Sequence, residues 1–176
     1  MTISKANTTT HHQNVRRFMM LGEQNTPNEF HILDENERLL RARLQVEETM
    51  ELLDALGVTL MANPDKGEAY PLSPESLDFE VGPEEINFVE VVDACIDIQV
   101  IATGTLVAMG VPDKAVILGI DENNLSKVEG PGGPQKNEDG KIIKPEGYVK
   151  PDVFKMITTG MNAQEKACAY SDVYPT

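Results

Sequence analysis

The stretch LLRARLQVEETMELLDALG, residues 39–57, decides how the chain folds. Its apolar residues recur with the period of a helix rather than the alternation of a strand. Upstream, Asp34 can cap the helix and Glu37, three residues on, can complete a capping box. Gly57 supplies the stop, so a helix is expected from Asp34 to about Leu56. At roughly 100° per residue, Leu33, Leu40, Leu44, Glu47 and Glu51 fall on one narrow line. Leu39, Val46, Met50 and Leu53 form a neighbouring apolar line. Glu47 and Glu51 are therefore expected to point where the core-facing leucines point, with Glu48 to one side and within reach of Glu51.

Further along, Pro83-Glu84-Glu85 has the form of a helix start, with proline in the first turn and acids complementing the dipole. That helix should run to about Met109 and end at Gly110 and Pro112. It is apolar almost all round, which marks a central helix of a bundle. Glu90, Asp93 and Asp97 share one narrow sector of it with Ile86, Val100 and Gly104. Between the two helices, residues from Val58 to Gly82, with Pro64, Pro71 and Pro74, read as a long connection holding at most a helical turn.

The flanks complete an all-α design of four to five helices. Residues 1–10 are expected to be disordered, and a short amphipathic helix is expected from His12 to Leu21. A fourth helix opens at Pro112 and Asp113 and continues to Val128, with Asn124 and Lys127 on one side of it. From Gly130 the chain reads Gly-Pro-Gly-Gly-Pro, then a segment rich in lysine (Lys136, Lys141, Lys144, Lys150). One more short helix is expected after Pro151. A helical domain over 11–130 with an extended, irregular C-terminal segment, 131–176, packed on it is the expected organisation.

Charge is unevenly spread. From Leu44 to Asp113 there are fifteen Asp or Glu and one cation, Lys66, so the whole net charge of -14 arises there. Such a chain is a poor partner for nucleic-acid backbones or anionic membranes. The longest apolar run, Ile98 to Gly110, falls short of the roughly 20 residues that span a bilayer. The two cysteines, Cys95 and Cys168, make no disulfide framework, and Cys95 sits in an apolar run as core filler. A reduced, cytoplasmic setting is expected.

Buried carboxylates without partners must be protonated, paired or bound to metal. Glu48 with Glu51, and Glu90 with Asp93, are pairs at the i, i+3 spacing that makes neighbours on a helix. On antiparallel helices the two pairs can face each other. Four oxygen ligands of this kind suit Mg²⁺ or Mn²⁺, with water and phosphate completing the shell. Glu47 could hold a water as general base, and Asp97 could extend the site. An acidic face turned to solvent is the ordinary alternative, weakened because two apolar helices do the same with so few cations nearby. A ferritin-like di-iron site fails, because the histidines His11, His12 and His31 all precede the acidic helices.

Glu47-Glu48-x-x-Glu51 followed by Glu90-x-x-Asp93 resembles the signature of the all-α nucleoside triphosphate pyrophosphatases, which include MazG proteins, phosphoribosyl-ATP pyrophosphohydrolases and dimeric dUTPases. Asn124-x-x-Lys127, Asp139-Gly140-Lys141, Lys144-Pro145-Glu146-Gly147-Tyr148 and Pro151-Asp152 extend the resemblance toward the small phosphoribosyl-ATP-pyrophosphohydrolase-like branch of bacteria and phages. The resemblance implies a MazG-like bundle that hydrolyses the bond between the α and β phosphates of a nucleoside triphosphate. It implies Mg²⁺ on Glu48, Glu51, Glu90 and Asp93, and Glu47 acting on the attacking water. It further implies Asn124 and Lys127 on phosphates, with Lys144 and Tyr148 as additional phosphate or base contacts. The chain departs from the pattern where Val128-Glu129-Gly130-Pro131 follows Lys127, a place where relatives often carry Arg or Lys.

A homodimer or homotetramer is expected, because hairpins of such helices leave apolar surface that symmetric association buries. Two other functions compete. One is a pyrophosphohydrolase for a phosphoribosyl-ATP-like nucleotide. The other is a non-catalytic acidic bundle that binds a partner, which would present its acids on the surface.

Overall fold

In a computed structural model, residues 3, 5–62, 77–81, 87–129, 133–138 and 141–159 are described, with side chains at all of these except 60–62 and 77–81. Five helices appear among them: α1 (Thr10–Leu21), α2 (Glu35–Ala55), α3 (Phe88–Ala108), α4 (Lys114–Leu125) and α5 (Val153–Ile157). The fold is all-α. By contacts the chain divides into two compact units, residues 34–102 and residues 1–33 with 103–176, the division falling within α3.

In the unit of residues 34–102, α2 begins with the capping box anticipated from its sequence. The Asp34 carboxylate accepts from the Glu37 amide at 2.8 Å, and the Glu37 side chain accepts from the Asp34 amide at 2.9 Å. Gly57, at φ 68°, takes the left-handed turn after the helix. The chain then forms strand β1 (Val58–Ala62), which packs on α2 and pairs antiparallel with β2 (Leu77–Val81), Val58 opposite Val81 and Ala62 opposite Leu77. This hairpin corrects the expectation of an irregular connection. Leu77-Asp78-Phe79-Glu80-Val81 alternates apolar and acidic residues, the period of a half-buried strand. The middle of that connection, and the start expected for α3 at Pro83, lie outside the described residues. The Asn87 amide donates to the Ala55 carbonyl at 2.9 Å, so α3 sets out from the end of α2.

Two expectations about these helices are corrected. Within the chain, α3 does not sit at the centre of a bundle: Phe88, Val89, Val92 and Ile96 are exposed, and Cys95 is exposed rather than core filler. On α2, Leu39, Leu40, Val46 and Met50 are exposed, and Arg41 is the buried residue. By length and composition alone α3 could cross a membrane, although Asp93 and Asp97 in its middle would be costly in lipid.

Among the described residues, most of the buried apolar side chains belong to the other unit, where Val15 and Met19 of α1 are buried, as are Val107, Ala108 and Val111, with Ala94 buried in the first. The start of the chain takes part in it, against the expectation of disorder up to residue 10. Thr8 is buried, and Thr9 caps α1 by accepting from the His12 amide. The Thr9 amide donates to Asp113 at 2.8 Å and its hydroxyl donates to the second carboxylate oxygen. Asp113, expected to open α4, therefore spends its side chain on α1 and makes no cap bond to its own helix. Gly110 is at φ 64°, and a Cβ there would collide with the Glu29 carbonyl. Gly119 of α4 makes room for Met156, the contact that seats α5.

Candidate active site

Glu48 is the centre of the acidic constellation. Its carboxyl is raised above the usual range, first by burial and then by repulsion from Asp97, Glu51, Glu47 and Asp93. Asp93 and Asp97 of α3 are thus close enough to repel this carboxylate of α2. Glu48 and Asp97 are half-buried, whereas Glu47, Glu51, Glu90 and Asp93 are exposed. Glu47 and Glu51 do share their side of α2 with leucines, but that side is open in the single chain. Glu90, in the first turn of α3, is not among the charges that act on Glu48. Asp97 acts on it ahead of the other three, so the residue that sequence treated as an extension stands nearer the centre.

None of these six carboxylates has a hydrogen bond or ion pair to a described residue. Uncompensated oxygen anions are the donor chemistry that hard divalent cations take, and such an ion would reverse the shift of Glu48. Among the described residues no group of three or more His, Cys, Asp or Glu is arranged to hold a metal ion. The donors fit a divalent cation in kind, but in the single chain they are not drawn together as a ligand set.

The other predicted residues gather at the end of α4. Lys127 donates to Asn124 Oδ1 at 2.7 Å, the i, i+3 pair expected on that helix. Its ammonium also lies 5.5 Å from the centroid of the Tyr148 ring, and that of Lys144 lies 5.4 Å from the same centroid. Asn123 joins them. Tyr148 donates to Asn123 Oδ1 at 2.7 Å, and Asn123 Nδ2 donates to the Val149 carbonyl at 2.9 Å. An asparagine beside the one already singled out gave no separate signal in one dimension. Asn123, Lys127, Tyr148 and Val149 border an open cavity of 620 Å³, walled also by Ser126, Gln135 and Glu146.

The family model described as phosphoribosyl-ATP pyrophosphohydrolase matches residues 13–124, which run from α1 through α4. The chain belongs to the phosphoribosyl-ATP pyrophosphohydrolase family. Its membership makes it a pyrophosphohydrolase of the MazG-like nucleoside triphosphate pyrophosphatase superfamily, whose members typically use a divalent metal. No individual curated protein matches the chain. Both acidic motifs of this phosphoribosyl-ATP pyrophosphohydrolase family member lie inside the match, as does Asn124, whereas Lys127, Lys144 and Tyr148 lie past its end.

Proposed function

We propose that the protein is a Mg²⁺- or Mn²⁺-dependent pyrophosphohydrolase that cleaves the α–β phosphoanhydride of (deoxy)nucleoside triphosphates, releasing a nucleoside monophosphate and pyrophosphate. The observation that carries this is Glu48, surrounded by four carboxylates with no cation against them in a chain of this family. Glu48, Glu51, Glu90 and Asp93 would hold the metal, with Asp97 beside them. A divalent ion there supplies neutralisation of phosphate charge. Glu47 orients the attacking water and takes its proton. The water oxygen bonds to a phosphorus of the α–β anhydride, that phosphorus parts from the bridging oxygen, and the leaving phosphate departs with the electron pair. Asn124 and Lys127 hold phosphate oxygens, with Lys144 and Tyr148 as further substrate contacts.

The family description itself favours a second substrate, a phosphoribosyl-ATP-like nucleotide cleaved at the same kind of bond. The non-catalytic alternative loses ground to the family match, although the exposure of Glu51 and Asp93 does not by itself speak against it. The working form is a homodimer or homotetramer in which the exposed apolar residues of α2 and α3 are covered by other copies. Incubation with a nucleotide panel, phosphoribosyl-ATP included, and Mg²⁺ tests the assignment. Pyrophosphate is expected from at least one nucleotide. None from any would refute it, and release from phosphoribosyl-ATP alone would select the second substrate.

A further inference from the structure

A second cavity, of 230 Å³, lies along α1 and shares no wall with the acidic cluster or with the cavity at the end of α4. Its walls come from residues 3–20, within one compact unit, and Ile3, Lys5, Thr8 and His12 precede residue 13, where the family match begins. The charge around it is one-sided. Residues 1–22 hold no Asp or Glu in a chain of net charge -14, and Lys5, Arg16 and Arg17 all line the cavity. No hydrogen bond or ion pair joins Lys5 or Arg17 to a described residue. Arg16 is held by neutral acceptors, the Thr26 and Pro27 carbonyls and Asn28 Oδ1, which fix the guanidinium without neutralising it. Burial pushes its pKa down and no carboxylate acts against that, whereas at Arg41 the Glu37 carboxylate does.

The inner wall supplies an independent sign. His12 lines the cavity, is fully buried, and leaves its Nδ1 without a partner among the described residues while Nε2 meets the Val111 carbonyl. A buried polar atom ordinarily has a partner. An anion beside this ring supplies one by favouring the imidazolium, whose Nδ1–H donates. The remainder of the lining suits an apolar body, since Ile3 and Met20 stand beside the cations and the cations bring methylene stems as well as charge. A volume of 230 Å³ falls below the roughly 300 Å³ at which sites for larger ligands begin, so it suits a small molecule better than a nucleotide.

We propose that this cavity binds a small organic anion, a carboxylate or phosphate head on an apolar body about the size of a single ring. Lys5 and Arg17 take the head, and Ile3 and Met20 lie against the body. The claim needs no turnover and does not rest on the identity of the substrate.

The test is calorimetric titration of the full chain in EDTA with phenyl phosphate, benzoate, orthophosphate and benzyl alcohol. Phenyl phosphate or benzoate should bind, and whichever binds more tightly identifies the head. Orthophosphate and benzyl alcohol should each bind at least about tenfold more weakly, because each meets only one kind of wall. Lys5→Ala and Arg17→Ala, both at exposed positions, should each weaken the better ligand roughly tenfold, the worth of one charge-assisted hydrogen bond. Lys127→Ala, in the other cavity, should leave that affinity unchanged. The imidazole resonances of His12, followed by NMR, should move with the same midpoint as the heat. No binding of either ring-bearing anion, equal binding of orthophosphate or benzyl alcohol, or unmoved His12 resonances would overturn the site. So would a loss in Lys127→Ala with none in Lys5→Ala and Arg17→Ala, which would place the anion at the end of α4 instead.

Discussion

At the scale of single residues, His12 is the most constrained group. It is fully buried, its Nε2 donates to the Val111 carbonyl at 3.1 Å, and its Nδ1 has no partner among the described residues. Burial lowers its pKa, with smaller contributions downward from Arg16 and His11, against upward pulls from Asp113 and the Val111 carbonyl. The folded chain thus holds a neutral imidazole that the unfolded chain protonates more readily. Its contribution to stability is complete above the unfolded value near 6.5 and is lost as pH falls through the lower folded value, with a slope of at most about 1.4 kcal/mol per pH unit. Thermal melting should show a midpoint that drops between pH 7 and pH 5. A flat profile would contradict this. Gly110 offers a second test: Gly110→Ala forces a side chain onto the Glu29 carbonyl at a left-handed φ, at a cost of about 2 kcal/mol or more and a midpoint lower by roughly 4–8 °C.

At the scale of elements, the α2–α3 pair gathers carboxylates whose mutual repulsion raises Glu48. A cation bound there stabilises only the native state, so saturating Mn²⁺ should raise the melting midpoint, by about 2.7 kcal/mol in stability at a hundredfold excess over Kd. A midpoint indifferent to Mn²⁺ would argue for a solvated patch. Glu51→Gln keeps the shape of the side chain and removes its charge. It should abolish pyrophosphate release while leaving the far-ultraviolet circular dichroism unchanged, and retained turnover would remove Glu51 from the metal set. Most of these elements were legible in one dimension. The capping box at Asp34 and Glu37, the stop at Gly57 and the Asn124–Lys127 pair are local features set by neighbours within one turn. The β1–β2 pairing is less legible: its second strand alternates plainly, but Pro64, Pro71 and Pro74 between the strands read as loop.

At the scale of the whole molecule, the buried core among the described residues lies mainly around α1 and the end of α3, while Val92, Ile96, Leu39 and Met50 are exposed. Apolar surface of this kind is stabilised by burial at about 25 cal/mol per Å², and a further copy of the chain is the partner a symmetric assembly supplies. Sedimentation should show a dimer or tetramer, and Val92→Asp combined with Ile96→Asp should shift it to monomer. A wild-type monomer at micromolar concentration would refute the assembly.

The sequence by itself determined the helices, the capping box at Asp34 and Glu37, the stop at Gly57, the acidic motifs and the family, because all of these follow from periodicity and short-range spacing. Tertiary structure alone decided the burial of Thr8 and His12, the diversion of Asp113 from its own helix to Thr9, and the prominence of Asp97. It also decided that Asn123 fastens Tyr148 beside Lys127 and Lys144. The physical reason is common to all four: each depends on groups brought together across long separations in the chain, and no local pattern records which distant partner a side chain will meet.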